Sequence, residues 1–119
     1  SDQPEQFWVS EIIREQAMLA TKEEIPHALA VRLEADRSTR TRGKPLRVFE
    51  ASLICERAGQ KAILVGRGGA KIRHIGTAAR QKLEAELKTQ VLLKLQVRVR
   101  NDWREDARAV AELDFHFMR

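Results

Sequence analysis

The residues best suited to chemistry lie in one short stretch, Gly66-Arg67-Gly68-Gly69, which separates two apolar segments. Glycine lets the backbone approach a ligand closely and adopt positive φ angles. The segment that follows has the pattern of a helix, whose first turn presents N–H groups and a positive dipole end. Arg67 and Lys71 add mobile positive charge. Such a loop can hold a sugar-phosphate backbone, although Gly-x-x-Gly also occurs as an ordinary turn between helices.

Basic residues are concentrated in two parts of the chain, which has a net charge of +5. Residues 37–47 contain five Arg or Lys residues and residues 61–82 contain six, and neither stretch contains an acidic residue. Any one of these charges could simply be solvated surface. Two acid-free basic stretches in one small chain favour a phosphate-binding face and therefore a nucleic-acid partner.

Other kinds of site find little support, and we expect no catalytic residue, metal or cofactor. No Gly-x-x-x-x-Gly-Lys-Ser/Thr phosphate loop is present, and no apolar stretch approaches the roughly 20 residues of a membrane span. The polar start is unlike a signal peptide, and the missing initiator Met predicts a piece of a longer protein. Cys55 is expected in the core, Trp8 in the core or at a helix interface, and Trp103 either packs or stacks on a base. Three histidines lack the spacing of a zinc site: His27, His74 and His116.

The hydrophobic periodicity predicts four helices and three strands in the order α-β-β-α-α-β-α. This order predicts an α+β fold, in which helices cover one face of a three-stranded sheet and the other face is wet and partly cationic. Lys94, Arg98 and Arg100 on that face suggest either a second RNA or ribosome contact or simple solubility. The predicted elements begin with a helix over 4–20 and strands over 27–34 and 49–55, with a mobile basic loop at 36–45. A short helix over 58–65 leads into the glycine loop, and a longer helix follows the loop and ends at about Leu87. A strand over 91–99 and a helix over 104–113 complete the order.

The glycine loop, its flanking apolar residues and this element order resemble the K-homology (KH) family. The signature of that family runs apolar-Gly-x-x-Gly-x-x-Ile, matched here from Val65 to Ile72. Two strands precede the motif and one follows, as in the type II KH fold of bacteria. The resemblance implies binding of single-stranded RNA, because the KH loop clamps about four backbone nucleotides.

Further stretches are similar to the C-terminal KH domain of the Era family of bacterial GTPases. They are Glu11–Glu15, Glu23–His27, Gly59–Lys61, Ile75–Arg80 and Asp102–Arg104. The resemblance implies a single RNA-binding domain over residues 1–119, monomeric and cytoplasmic, without the GTPase domain. It also implies a role in small-subunit (30S) ribosome assembly near the 3′ end of the small-subunit ribosomal RNA, and peripheral association of the parent protein with the inner membrane.

The resemblance places the RNA clamp on the glycine loop and groove contacts beside it. Bases are expected on an aliphatic platform that includes Val65 and Ile72, in a groove between the two central helices and the second strand. Another type II KH protein, a module for an acidic protein partner and an enzyme fragment remain alternatives. The predicted RNA-binding residues are Lys61, Ala62, Val65, Gly66, Arg67, Gly68, Gly69, Lys71, Ile72 and Arg73.

Overall fold

Three α-helices, a short 3-10 helix at Arg67–Gly69 and four strands make up the described part of a computed structural model, which covers residues 3–22, 29–100 and 115–117. The predicted final helix, Arg104 to Leu113, lies outside this part, as does the start of the predicted first strand. The elements are α1 (Gln3–Thr21), β1 (Ala30–Thr41), β2 (Lys44–Cys55), α2 (Ala58–Val65), α3 (Ala70–Leu87), β3 (Gln90–Val99) and β4 (Phe115–Phe117).

The strands form one mixed sheet in the order β1-β2-β3-β4. β1 and β2 are antiparallel, whereas β2 and β3 are parallel. A parallel pair needs a crossover connection, and α2 and α3 supply it. The predicted α+β fold with its three strands and packed helices is confirmed. The sequence missed β4, whose three residues are too few to show an alternating pattern.

The core lies between the sheet and the helices. In β3 every second residue is buried from Val91 to Val99, as the predicted alternation requires. The apolar stripe of α3, including Ile75 and Leu83, packs into the same cluster as Ile13 of α1. These side chains are inaccessible to solvent. The helix carrying the glycine loop at its N-terminus is therefore fixed to the sheet along its length.

The predicted mobile loop at 36–45 is wrong, because these residues complete a long β-hairpin. β1 and β2 pair from Ala30 to Thr41, and only Arg42 and Gly43 lie between the strands. Their φ angles are 51° and 79°. Positive φ at both positions is typical of a type I′ turn, whose twist matches that of the flanking strands. The sequence did not predict this hairpin for two reasons. The strands are polar, and the first turn position holds Arg42 where Asn or Asp is usual.

A β-bulge between Leu33 and Ala35 reverses which residues of β1 face the helices. Asp36 consequently lies opposite Phe49 on the helix side of the sheet. There Asp36 and Glu5 accept hydrogen bonds from Arg47 at 2.8 and 2.9 Å. Burial lowers the pKa of Arg47, but these carboxylates outweigh it and raise the pKa above its ordinary value. Arg47 of β2 thereby forms one ion pair with α1, through Glu5, and one with β1, through Asp36.

The sheet face opposite the helices is less exposed to solvent than predicted. Val48 and Ser52 of β2 are buried on that side, and Ser52 donates a hydrogen bond of 2.8 Å to Glu34. Lys94 and Arg98 of β3 remain partly exposed there. β2 is central in the sheet and is buried on both faces from Ala51 to Cys55.

Candidate nucleic-acid interface

The glycine loop joins the C-terminus of α2 to the N-terminus of α3 through left-handed backbone. Gly66, Gly68 and Gly69 have φ angles of 75°, 62° and 78°. The loop is closed by its own hydrogen bonds, from the Gly66 N–H to the Ala62 carbonyl (2.9 Å) and from the Gly69 N–H to the Gly66 carbonyl (3.1 Å). L-residues rarely adopt such angles, so the glycines are what allow this sharp connection.

Gly66 and Gly68 are needed for different reasons. A Cβ at Gly66 would lie 2.7 Å from the Lys71 Cβ and 2.8 Å from the Lys71 backbone nitrogen. Packing therefore excludes any side chain at Gly66. A Cβ at Gly68 would meet nothing within 4 Å among the described residues, and Gly68 is exposed. Gly68 thus presents open backbone to solvent, where a ligand can approach it.

The Gly59-Gln60-Lys61 stretch has a local structural role in holding the start of α2. The side-chain oxygen of Gln60 accepts hydrogen bonds from the backbone N–H groups of Glu56 (2.9 Å) and Arg57 (3.1 Å). A side chain that satisfies N–H groups before a first helical turn stabilises a short helix. Since α2 has only eight residues, this cap helps to position the glycine loop at its other end.

The three cations closest to the loop have different surroundings. Arg67 is exposed at the tip. Arg73 is exposed and donates a hydrogen bond of 2.7 Å to the Gly68 carbonyl, so it supports the loop from α3. Lys71 donates a hydrogen bond of 2.9 Å to the Ala20 carbonyl. The last turn of α1 has no basic residue of its own, and Lys71 supplies the cation that a helix C-terminus favours.

The first turn of α3 offers fewer free N–H groups than the sequence suggested. The loop uses the N–H of Gly69, and the N–H of Ala70 donates to the Arg67 carbonyl. The positive end of the α3 dipole still points at the loop. A phosphate would therefore be met by the exposed groups of Arg67 and Gly68.

The predicted groove residues are not equally available to a base. Ala62 is exposed and Lys61 and Val65 are half-buried, so all three can be reached beside the loop. Ile72 is completely buried in the core, where it supports the loop from below, and this structure does not present it as a platform. The second strand, buried over Ala51–Cys55, likewise offers no open surface to the predicted groove.

The other candidate groups have structural surroundings. Arg100 forms an ion pair with Glu56 (2.9 Å), and Arg98 lies 3.9 Å from Glu34. Both contacts reduce the free charge of the predicted cationic stripe. Burial raises the pKa of Cys55, which keeps its thiol protonated at neutral pH and unsuited to nucleophilic chemistry. Within the described ranges we find no group of residues that could hold a metal ion and no helix suited to cross a membrane.

Comparison with known proteins defines the class of this chain. The sequence profile of the KH domain family matches residues 24–104, which is more than half of the chain. The matched range contains the glycine loop, both flanking helices and the hairpin. The chain belongs to the KH domain family, and the predicted resemblance is confirmed.

Within this class, the chain is similar to Era GTPases. The chain is 43% identical to GTPase Era of Staphylococcus haemolyticus and 42% identical to GTPase Era of Geobacter metallireducens, each over 115 residues. Those residues are 97% of this chain but 38% of each relative. The chain therefore spans well under half the length of these relatives, and the predicted similarity to the KH domain of Era is confirmed.

Two solved structures agree with the sequence comparison. A variant of Aquifex aeolicus Era bound to GDP·AlF4− superimposes with a TM-score of 0.76 at 33% identity, covering 95% of this chain and 38% of that one. An Era complex with MgGDPNP and nucleotides 1506–1542 of 16S ribosomal RNA gives 0.77 at 33% identity, covering 94% and 38%. The described fold is thus similar to part of a protein that has been crystallised with ribosomal RNA.

Proposed function

We propose that this chain is the RNA-binding domain of an Era-type GTPase and that it holds single-stranded RNA near the 3′ end of small-subunit ribosomal RNA. The observation that carries the proposal is the exposed loop at Arg67 and Gly68. It combines left-handed glycine backbone, the positive end of α3 and a basic stretch without acidic residues. These features suit a sugar-phosphate backbone.

The predicted site residues divide into three groups in this proposal. Arg67 and Gly68 contact the phosphates. The exposed part of the Arg73 guanidinium that does not bind the Gly68 carbonyl contacts them as well. Lys61, Ala62 and Val65 line the adjacent surface where bases can lie. The remaining predicted residues give the loop its shape: Gly66 and Gly69 through their backbone, Lys71 through its bond to α1, and Ile72 through the core.

The relatives support the choice of RNA partner. One Era structure contains nucleotides 1506–1542 of 16S ribosomal RNA, and the described part of this chain superimposes on that protein. We propose a corresponding partner here, with the 30S subunit as the assembly in which it is met and the cytoplasm as the compartment. On the family resemblance alone, we also propose that the parent protein associates peripherally with the inner membrane.

The chain contributes binding and no catalysis in this proposal. Its sequence has no Gly-x-x-x-x-Gly-Lys-Ser/Thr motif, whose backbone would cradle nucleotide phosphates. GTP hydrolysis would then belong to the part of an Era-type protein that this chain does not match. We further propose that residues 1–119 act as one domain, as a monomer and without a cofactor.

A titration tests the proposed function. The chain is mixed with a fluorescent RNA that matches the 3′ end of small-subunit ribosomal RNA, and with a scrambled RNA of the same composition, at several salt concentrations. If about four phosphates are neutralised, log K should fall with log salt at a slope near −3. A slope near zero would contradict the phosphate clamp. Equal affinity for both RNAs would contradict the assignment to ribosomal RNA, but it would not contradict phosphate binding at the glycine loop.

A further inference from the structure

The tip of the β-hairpin forms a second cationic surface, far from the glycine loop. Arg42 and Lys44 of the tip and Lys88, which follows α3, line one open cavity of about 610 Å³. The hairpin reaches this place because β1 and β2 extend beyond the start of β3, where Leu46 pairs with Gln90. We name Arg42, Lys44 and Lys88 the tip patch.

Among the described residues, no carboxylate forms an ion pair with the tip patch, although Lys88 also lies where the C-terminus of α3 favours a cation. All three side chains are exposed, and no acidic residue is among the described residues that line the cavity. Two other cations of the same basic stretch are neutralised locally, Arg37 by Glu50 (3.2 Å) and Arg47 by Asp36 (2.8 Å). The fold thus uses its carboxylates along the hairpin and provides none at the tip.

Two cations of the tip patch have left-handed backbone, as does Lys22 after α1. Arg42 and Lys88 have φ angles of 51° and 55°, in the left-handed region. Asn or Gly is the usual residue at such turn and helix-end positions, because long side chains adopt this conformation less readily. Both positions instead hold cations that point to the same cavity.

An exposed face of α3 connects the tip patch to the glycine loop. Arg73, Thr77, Gln81, Ala85 and Lys88 follow one another at helical spacing, all are exposed, and none is acidic. The two surfaces lie at opposite ends of this helix of 18 residues, which makes them about 27 Å apart. A stacked strand advances about 3.4 Å per nucleotide, so about eight nucleotides would separate the two sites.

We propose that the tip patch is a second phosphate-binding surface for the RNA strand that leaves the glycine loop and follows α3. This rests on the proposed function, because the same RNA must be held at the loop. The contact does not depend on RNA sequence, because it involves phosphates alone. It extends the binding site well beyond the four nucleotides that one KH loop holds. RNA affinity should therefore increase with RNA length.

The test measures affinity against RNA length for the chain and two variants. The short RNA has about six nucleotides of ribosomal 3′-end sequence, and the long RNAs add about 16 uridines to its 5′ or its 3′ end. One variant removes the three charges (Arg42→Asn, Lys44→Gln, Lys88→Asn). The matched control keeps them (Arg42→Lys, Lys44→Arg, Lys88→Arg). Asparagine tolerates left-handed backbone, so the first variant should be at least as stable as the parent chain.

We expect one of the long RNAs to bind the parent chain and the charge-retaining control more tightly than the short RNA does. The charge-removed variant should bind that long RNA about tenfold more weakly, with a salt slope smaller by about 2, and bind the short RNA unchanged. Equal affinity of the parent and the charge-removed variant for both long RNAs would overturn the proposal and favour an acidic protein partner. Failure of the parent chain to bind the short RNA would instead overturn the proposed function.

Discussion

Replacing Arg67 and Gly68 together by aspartate should abolish RNA binding and leave the chain folded. The structure indicates that both positions tolerate the change. Arg67 is exposed, and an added Cβ at Gly68 meets nothing within 4 Å in the described structure. The backbone at Gly68 (φ 62°, ψ 19°) is in the left-handed region, where aspartate is among the better tolerated residues. We expect a loss of about 1–2 kcal/mol in unfolding free energy.

The effect on RNA should be larger than the effect on the fold. The double substitution removes one positive charge and adds two negative charges where phosphates are expected. Even with the screening of bulk water, a unit charge about 4 Å from a phosphate changes the interaction by about 1 kcal/mol. Three such changes amount to about 3 kcal/mol, which is an affinity loss of at least about a hundredfold.

The assay combines thermal unfolding by circular dichroism with fluorescence anisotropy of a labelled RNA. The melting temperature should fall by about 4–8 °C while the cooperative transition persists. Gly66→Ala is the contrasting variant, because its Cβ would collide with Lys71 and its backbone conformation belongs to glycine. It should destabilise the fold more than Gly68→Ala. Unchanged RNA affinity in the folded double variant would refute the assignment of the clamp to this loop.

Three further predictions concern the residues around the site. Lys71→Gln should lower the melting temperature through the lost bond to α1 and leave the salt slope of RNA binding unchanged; a smaller slope would make Lys71 a phosphate contact. Glu84→Ala should cost about 3–5 kcal/mol, because it leaves Arg80 buried without its partner, and the exposed control Glu86→Ala should change little in chemical denaturation. The raised pKa of Cys55 means that its stabilising contribution is present below the ordinary thiol pKa of 9.0 and is lost as pH rises above it; Cys55→Ala should flatten that alkaline decline in unfolding free energy.

The sequence predicted the central βααβ unit closely, because its signals are local. Five alternating apolar residues mark β3, and a periodic apolar stripe marks α3. The glycine loop could be found because glycine adopts the positive φ angles of Gly66 and Gly68 most readily. The same local signals supported the resemblance to the KH family and hence the expected partner.

The hairpin was invisible for a corresponding physical reason. Residues 36–45 are polar and basic, so they lack the apolar alternation by which a half-buried strand is recognised. Their β-structure is imposed by pairing with β2, which is a contact across the sheet and not a local preference. The bulge after Leu33 had no signal either, although it decides that Asp36 faces the helices.

The sequence by itself determined the fold class, the glycine loop and the excess of positive charge. Only the tertiary structure decided which of those charges are free: Lys71 binds the end of α1, Arg47 binds Asp36 and Glu5, and Arg67 remains exposed. It also placed the hairpin tip beside Lys88, which follows α3. The reason is that charge is a property of single residues, whereas its availability depends on partners that folding brings from distant parts of the chain.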